Sequence, residues 1–291
     1  MSGMYNGLLS TLSAQPSGRL REYAVPVNGI TIEVIESSGQ GKPLFLCHGN
    51  SSAANSFTPL LEGELGRRHR LVALSFPGHG ASGRASNPNH SYSIGSFGTM
   101  VANIVETYGQ KRYWLLGHSL GGHVLLESLI HLPGAMGLFL VSAPPISMNT
   151  MDAAFRADPS AGCLFKGELD DAEVDLLAAC FTSPDHVRLL NTLKSNIRRT
   201  DIHFRPALGA SLSAGKLGDE RAALACAKIP VASVAGTDDK FLQIDYHATI
   251  PAEQLWRGTT SLFEGHGHAL HLEAPDRFSA LVNEFLSETS D

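Results

Sequence analysis

Cysteine is scarce: four in 291 residues (Cys47, Cys163, Cys180 and Cys226), widely scattered and without a Cys-x-x-Cys. That spacing excludes a dense disulfide framework and points to a reducing, cytoplasmic setting. No stretch of eighteen apolar residues occurs, and the first twenty residues offer Leu8 and Leu9 but neither a basic start nor a sustained apolar run. No signal peptide and no membrane span are therefore expected. Charged residues make up only 17%, with a net charge of −6, so the basic patch that nucleic acid requires is missing. The partners to expect are small and neutral. A phosphate loop is excluded too, because no Gly-Lys-Ser/Thr is present and Gly41-Lys42-Pro43 has neither the spacing nor the N–H donors. Internal repeats and low-complexity tracts are likewise absent.

Hydrophobic residues at 43% describe an ordinary globular protein, large enough for one core with a sizeable insertion. Short β-type runs recur at 30–35, 44–47, 71–74, 113–116, 138–141, 231–235 and 261–263, separated by helical patterns. Alternation of this kind gives an α/β fold with a mostly parallel sheet covered on both faces. Asn28-Gly29 is a hairpin signal beside the first two runs, which are expected to open the sheet as an antiparallel pair. After Ser91-Tyr92-Ser93, the residues Ile94, Phe97, Val101, Ile104, Val105 and Tyr108 form one helical stripe that Gly109 closes. A second helix should bury Val124, Leu125 and Leu129 before Pro133, and a last one, from about Ala274, Phe278, Leu281, Val282 and Phe285. From Pro144-Pro145 to about Glu220 there are helical stretches, such as 171–180 and 186–197, and no strand pattern. An insertion of that length between sheet strands reads as a helical lid over the strand ends.

Gly117-His118-Ser119-Leu120-Gly121-Gly122 joins the fourth run to a helical pattern, the context of a Gly-x-Ser-x-Gly nucleophile elbow. Small residues allow the tight turn that exposes the Ser119 hydroxyl. A serine hydroxyl is a poor nucleophile at neutral pH, so it needs a base and a carboxylate that orients the base. Asp238 and Asp239 follow the strand at 231–235, where ligand sites of open α/β sheets gather, although aspartates also cap helices and turns. After the last run, Phe263-Glu264-Gly265-His266-Gly267-His268-Ala269-Leu270-His271 offers three histidines. The pattern His266-x-His268-x-Leu270-His271 mimics a metal motif, but leucine stands where that motif needs aspartate and no second ligand cluster is evident. No metal is expected.

Together with Leu46-Cys47-His48-Gly49-Asn50-Ser51-Ser52 and the turn Pro77-Gly78-His79-Gly80-Ala81-Ser82, these motifs resemble the α/β-hydrolase superfamily from Leu44 to about Phe285. The resemblance implies Ser119 as nucleophile, Asp239 as the acid (fourth in Gly-x-x-acid), and His268 as the base, with Gly267, Glu273 and Pro275 around it in the family's layout. It further implies an oxyanion hole from the backbone N–H groups of Asn50 and Leu120, His48 as a loop brace, and no cofactor. His266 and His271 are expected on a loop and a helix surface. The implied organisation is an extension at 1–20, an α/β-hydrolase core at 21–144 and 221–291, and a helical lid at 145–220.

Within the superfamily, His48-Gly49-Asn50-Ser51-Ser52, Leu61-Glu62-Gly63-Glu64-Leu65-Gly66, Ser91-Tyr92-Ser93, Ser119-Leu120-Gly121-Gly122-His123 and Pro144-Pro145 resemble the α/β-hydrolase type of N-acyl-homoserine lactonase. The implied function is metal-independent opening of the lactone ring of N-acyl-homoserine lactones (quorum quenching), with hydrolysis of carboxylic esters through an acyl-enzyme. A general carboxylesterase, or a non-enzymatic small-molecule receptor that retains the triad, are the alternatives. Three positions depart from the pattern. Ser75 stands where many relatives have Asp, Asp239 where the lactonase has Glu, and residues 145–220 contain no Tyr or Trp where the lactonase has a lid tyrosine. Ile146, Met148, Phe155, Leu164 and Phe165 are the lid's apolar residues, fit either to line an acyl pocket or to form the lid's own core. A monomer fits the sequence, which sets no oligomeric state.

Overall fold

The computed structural model describes residues 20–290 apart from 158, 184, 185, 187 and 188. The apolar runs become a sheet of eight strands: β1 Arg21–Val27, β2 Ile30–Glu36, β3 Gln40–Cys47, β4 His69–Leu74, β5 Tyr113–His118, β6 Ala135–Val141, β7 Val231–Gly236 and β8 Ser261–Phe263. Their order is β1-β2-β4-β3-β5-β6-β7-β8. β2 pairs antiparallel with β1 and with β4, and every pairing from β4 to β8 is parallel. Every residue of β5 and β7 is buried, as expected of parallel strands covered on both faces.

The opening antiparallel pair is not the one expected from the sequence. Asn28 (φ 49°) and Gly29 (φ 80°) join β1 to β2, a two-residue turn with both residues left-handed. The run at 44–47 belongs to β3, which lies parallel to β4 and β5. β1 has a weak strand signature because it is an edge strand: Arg21 and Glu22 face solvent and Pro26 removes a ladder donor, which only an edge tolerates.

Alternation along the strands sends side chains to two cores. Phe45, Val72, Leu115 and Leu138 pack with Phe97, Val101 and Val124 of helices α1 (Ile94–Thr107) and α2 (Leu120–Ser128). Leu44, Leu46, Leu116 and Phe139 pack on the opposite face with Leu60 and with Phe278 and Phe285. Ser93 caps α1 by accepting the Ser96 N–H, and Gly109 (φ 62°) follows its end. Each such buried side chain contributes about 1.5–3 kcal/mol.

Between β6 and β7 lie helices α3 (Asp171–Cys180), α4 (Leu190–Arg199), α5 (Phe204–Ser213) and α6 (Glu220–Cys226), and α7 (Pro275–Glu288) ends the described fold. Asp170 and Glu173 form a reciprocal capping box at the start of α3. The helix expected at 186–197 begins at Leu190; of its expected first turn, Val187 and Arg188 lie outside the described residues. α3 and α4 share an apolar cluster of Val174, Leu177, Leu193 and Ile197 that reaches Phe241 and Leu272. Hydrogen bonds tie the segment to the strand-end loops: Asp201 N donates to Gly78 O (2.8 Å), Tyr92 Oη to Asp201 Oδ2 (2.7 Å), and Asn196 Nδ2 to Asn55 Oδ1 (2.8 Å). Among the described residues no helix is long and apolar enough to cross a membrane.

Candidate active site

β5 ends at His118, and α2 begins at Leu120, so the chain turns within one residue. That residue, Ser119, sits at φ 50°, ψ −120°, a conformation that costs a non-glycine residue about 1–3 kcal/mol. The surroundings impose it. Ser119 N donates to Val141 O of β6 (2.8 Å), and α2 presses so closely on β3 that a Cβ at Gly121 would lie 2.2 Å from Cys47 O. The glycines of the elbow are thus required by close approach of backbones, and the turn leaves Ser119 half-buried at the rim of a cavity.

His268 faces the same cavity from the loop after β8. Its Nδ1 donates to Asp239 Oδ2 at 2.7 Å, which leaves Nε2 outside that bond. Asp239 is buried, and its Oδ1 accepts the N–H groups of Phe241 (2.8 Å) and Leu242 (3.1 Å), which fix the carboxylate. Asp238 points to the surface beside Thr237, so of the two candidates only Asp239 meets the histidine. The loop is anchored on both sides of His268. Gly267 N donates to the buried Glu273 carboxylate (3.1 and 3.0 Å), and the carbonyl of His268 accepts from His118 Nε2 (3.0 Å) and Ser142 Oγ (2.9 Å). Burial, with His271 and His268 close by, holds His118 well below the usual imidazole range, so its ring is neutral with the proton on Nε2.

The other two histidines part company. His266 is half-buried on the loop, with Nδ1 bonded to Glu264 O (2.7 Å). His271 is not on a helix surface as expected: it is fully buried between Phe57 and Phe278, 4.7 Å from the His118 ring. Neither of its ring nitrogens has a hydrogen-bond partner among the described residues, and burial lowers its pKa to about 3. The short helix Leu270–Glu273 packs inward because α7, which follows it directly, and the distant segment Ala54–Phe57 close over it.

Asn50 and Leu120 line the cavity beside Ser119, and neither backbone N–H donates to a carbonyl among the described residues. A helix N-terminus leaves such donors free, which suits a developing oxyanion. His48 holds the Asn50 loop to the turn after β4: its Nε2 accepts Phe76 N–H (2.9 Å) and its Nδ1 donates to Gly49 O (2.7 Å). Burial lowers its pKa to about 4, matching a neutral brace. The Asn50 side chain in turn donates to Leu164 O (3.1 Å) and accepts from Ser51 Oγ (2.7 Å).

The cavity measures about 370 Å³, within the range of small-molecule sites, and its walls are mostly apolar. Ile146, Phe155, Leu164 and Phe165 line it; Met148 is exposed and does not. His123, one turn beyond Ser119, lines it as well, bonded through Nδ1 to Glu220. Sequence reasoning takes His123 only as part of a motif, because its partner lies 97 positions away. Among the described residues no group of three or more His, Cys, Asp or Glu side chains is arranged to hold a metal ion.

A parallel sheet with a serine elbow, an acid after β7 and a histidine after β8 defines an α/β hydrolase. The chain belongs to the alpha/beta hydrolase family, whose model matches residues 44–281. It is 28% identical over 250 residues (84% of this chain, 95% of the relative) to a pimeloyl-[acyl-carrier protein] methyl ester esterase of Nitrosomonas europaea. It is 25% identical over 261 residues (86% and 88%) to a 2-succinyl-6-hydroxy-2,4-cyclohexadiene-1-carboxylate synthase of Yersinia enterocolitica. Among solved structures it is similar to a mutant of the N-acyl homoserine lactonase AidH complexed with N-hexanoyl homoserine lactone, at TM-score 0.88 and 29% identity, covering 92% of this chain and 98% of that one. With esterases and a lactonase as its relatives, the chain is an ester or lactone hydrolase.

Proposed function

We propose that this chain is a metal-independent serine hydrolase that opens the ring of N-acyl-homoserine lactones and also cleaves carboxylic esters. Ser119 is the nucleophile, His268 the general base and then acid, and Asp239 the residue that holds the imidazole in the right tautomer and stabilises its protonated form. The observation that carries this reading is the Asp239–His268 pair at 2.7 Å, facing the same apolar cavity as the strained Ser119 turn.

As Ser119 Oγ attacks the carbonyl carbon, His268 Nε2 takes its proton, and the oxyanion is received by the N–H groups of Asn50 and Leu120. Collapse transfers the His268 proton to the leaving alcohol, which for a lactone stays attached to the acyl group. Water, deprotonated by His268, then attacks the acyl-enzyme and frees Ser119. In this reading residues 145–220 act as a lid, and Ile146, Phe155, Leu164 and Phe165 receive the acyl chain. The similarity to AidH in its lactone complex supports lactone chemistry. The four unpaired thiols support a cytoplasmic setting.

A second reading, a general carboxylesterase, is favoured by the methyl ester esterase relatives and by the absence of Tyr and Trp from residues 145–220. Incubation with N-hexanoyl homoserine lactone and with p-nitrophenyl hexanoate, products read by mass spectrometry, separates the two. Ring opening adds one water without splitting the molecule. Consumption of the ester alone leaves the carboxylesterase, and product that stalls at one equivalent identifies a receptor with a reactive serine.

A further inference from the structure

Besides His268, three ionisable side chains line the cavity and take no part in the acyl-transfer steps: Asp152 and Arg156, both exposed, and His123, which is buried. His123 lies four residues after Ser119 on α2, about 6 Å along the helix axis, among Ile94, Ile146, Leu208 and Leu217. Its Nδ1 is 2.9 Å from both carboxylate oxygens of Glu220, and both side chains are almost wholly buried. Burial opposes charge on this ring, but the Glu220 carboxylate, with Glu127 behind it, outweighs burial and raises its pKa above the usual 6.5. With Nδ1 bonded to Glu220, Nε2 is the nitrogen left for a bound molecule.

Glu220 has a separate structural task. Its Oε2 accepts Ile146 N–H (3.0 Å), and its own N–H donates to Ile146 O (2.9 Å), which fastens together the two ends of the segment between β6 and β7. Those bonds call for a side-chain acceptor at 220, which an amide supplies, and for no imidazole at 123. A buried ion pair is costly to desolvate, and apolar packing is often as stable. The imidazole facing the cavity is thus unexplained by the fold.

We propose that His123 determines specificity by donating its Nε2–H to a neutral carbonyl in the acyl part of the substrate, about one helical turn from the scissile carbon. An amide or keto carbonyl is the chemical class that fits. A carboxylate does not fit at His123, because Glu220 already balances the ring and Glu127 adds negative charge beyond it; the cavity's other charged side chains, Arg156 (Nε bonded to Leu242 O, 2.7 Å) and Asp152, are exposed. A plain alkyl chain leaves the donor without an acceptor in an apolar cavity. This inference rests on the acyl-transfer reading above.

The test compares two esters with one leaving group: the p-nitrophenyl ester of N-hexanoylglycine, and p-nitrophenyl nonanoate, which has two methylenes in place of the amide. The expected result is a wild-type preference in kcat/KM for the amide ester that His123→Leu lowers about tenfold to a hundredfold, the worth of one charge-assisted hydrogen bond, and that His123→Gln partly restores. Damage to the fold or to Ser119 lowers both esters together and leaves the ratio alone. The preference should fade as pH rises past the pKa of His123, and Glu220→Gln should move that fade to lower pH. An unchanged ratio in His123→Leu, or no wild-type preference for the amide, overturns the proposal. If the wild type turns over neither ester, the hydrolase reading has failed. The ratio of calorimetric Kd values for the two esters in Ser119→Ala, with and without His123→Leu, then decides the role of His123 by itself.

Discussion

The two walls of the cavity are built differently. On the sheet side, Ser119, Asp239 and His268 sit within a residue or a few of parallel strand ends, and backbone bonds fix each one: Ser119 N to Val141 O, Phe241 and Leu242 N–H to Asp239, Gly267 N to Glu273. On the other side, the segment between β6 and β7 is held by single backbone bonds, such as Asp201 N to Gly78 O and Ala269 N to Phe181 O, by an apolar cluster that reaches Phe241 and Leu272, and by side-chain bonds: Arg205 to Ser51, Asn50 to Leu164, Tyr92 to Asp201, His123 to Glu220. A wall set by a sheet ladder is rigid and common to a fold, which suits it to the reaction. A wall held by single bonds and side chains varies readily, which suits it to the choice of substrate.

The largest effects belong to the sheet wall. Ser119→Ala and His268→Ala should each lower kcat for p-nitrophenyl hexanoate by about 10⁴ or more, with the melting temperature retained or, for Ser119→Ala, little changed. Asp239→Asn should come close to that loss, because an amide at 239 can direct an N–H at Nδ1 and favour the wrong tautomer of His268. Steady-state kinetics on folded variants check all three, and a loss at Asp239→Asn confined to KM would break the assignment of this wall to chemistry.

Next comes the wall opposite the sheet. Arg205 is buried, and among the described residues no carboxylate pairs with it; its Nε donates to Ser51 Oγ (2.8 Å), and its Nη1 and Nη2 to Gly167 O (2.8 Å) and Ile197 O (2.7 Å). Burial lowers its pKa to about 10, so it remains charged at neutral pH. Because Ser51 Oγ bonds Asn50, Arg205 positions the Asn50 loop through Ser51. Arg205→Met should cost about 1–3 kcal/mol of stability from the acceptors left unpaired, seen in denaturant titration. It should also lower kcat about tenfold if the Asn50 N–H is, as proposed, one of the oxyanion donors. Arg205→Lys should recover part of both.

The smallest effect concerns acid stability. Burial holds His48 at about 4 and His271 at about 3, against 6.5 for an ordinary imidazole. As pH falls below 6.5 the unfolded chain takes up protons before the folded one does, so this stability is complete above 6.5 and drains as pH falls toward those lower values. His271→Leu removes one such group together with two unbonded ring nitrogens. Its melting temperature should exceed that of the wild type by more at pH 5 than at pH 8, which a thermal scan at both pH values measures.

Legibility from the sequence follows the same division. Ser119 is readable because a strand, a turn and a helix within a dozen residues make its signal local. Asp239 is told from Asp238 only by the Gly-x-x-acid pattern of the resembled family, since what physically separates them is which carboxylate receives Phe241 N–H and meets His268, 29 positions on. His271 looks like a surface residue because a histidine just before Glu273 carries no burial signal of its own, and it is buried by Phe278 on the next helix and by Phe57 from far along the chain. β1 is hidden by the charges and the proline that an edge strand tolerates. His123 and Glu220 gain meaning only when the segment between β6 and β7 folds back on α2.

The central claim, that Ser119 carries ester cleavage through a turnover cycle, is tested most directly by following p-nitrophenol release from p-nitrophenyl hexanoate with wild type and Ser119→Ala side by side. The wild type should release many equivalents, and the variant should react about 10⁴ more slowly. A wild-type trace that stops at one equivalent, or a variant that matches it, would contradict the account.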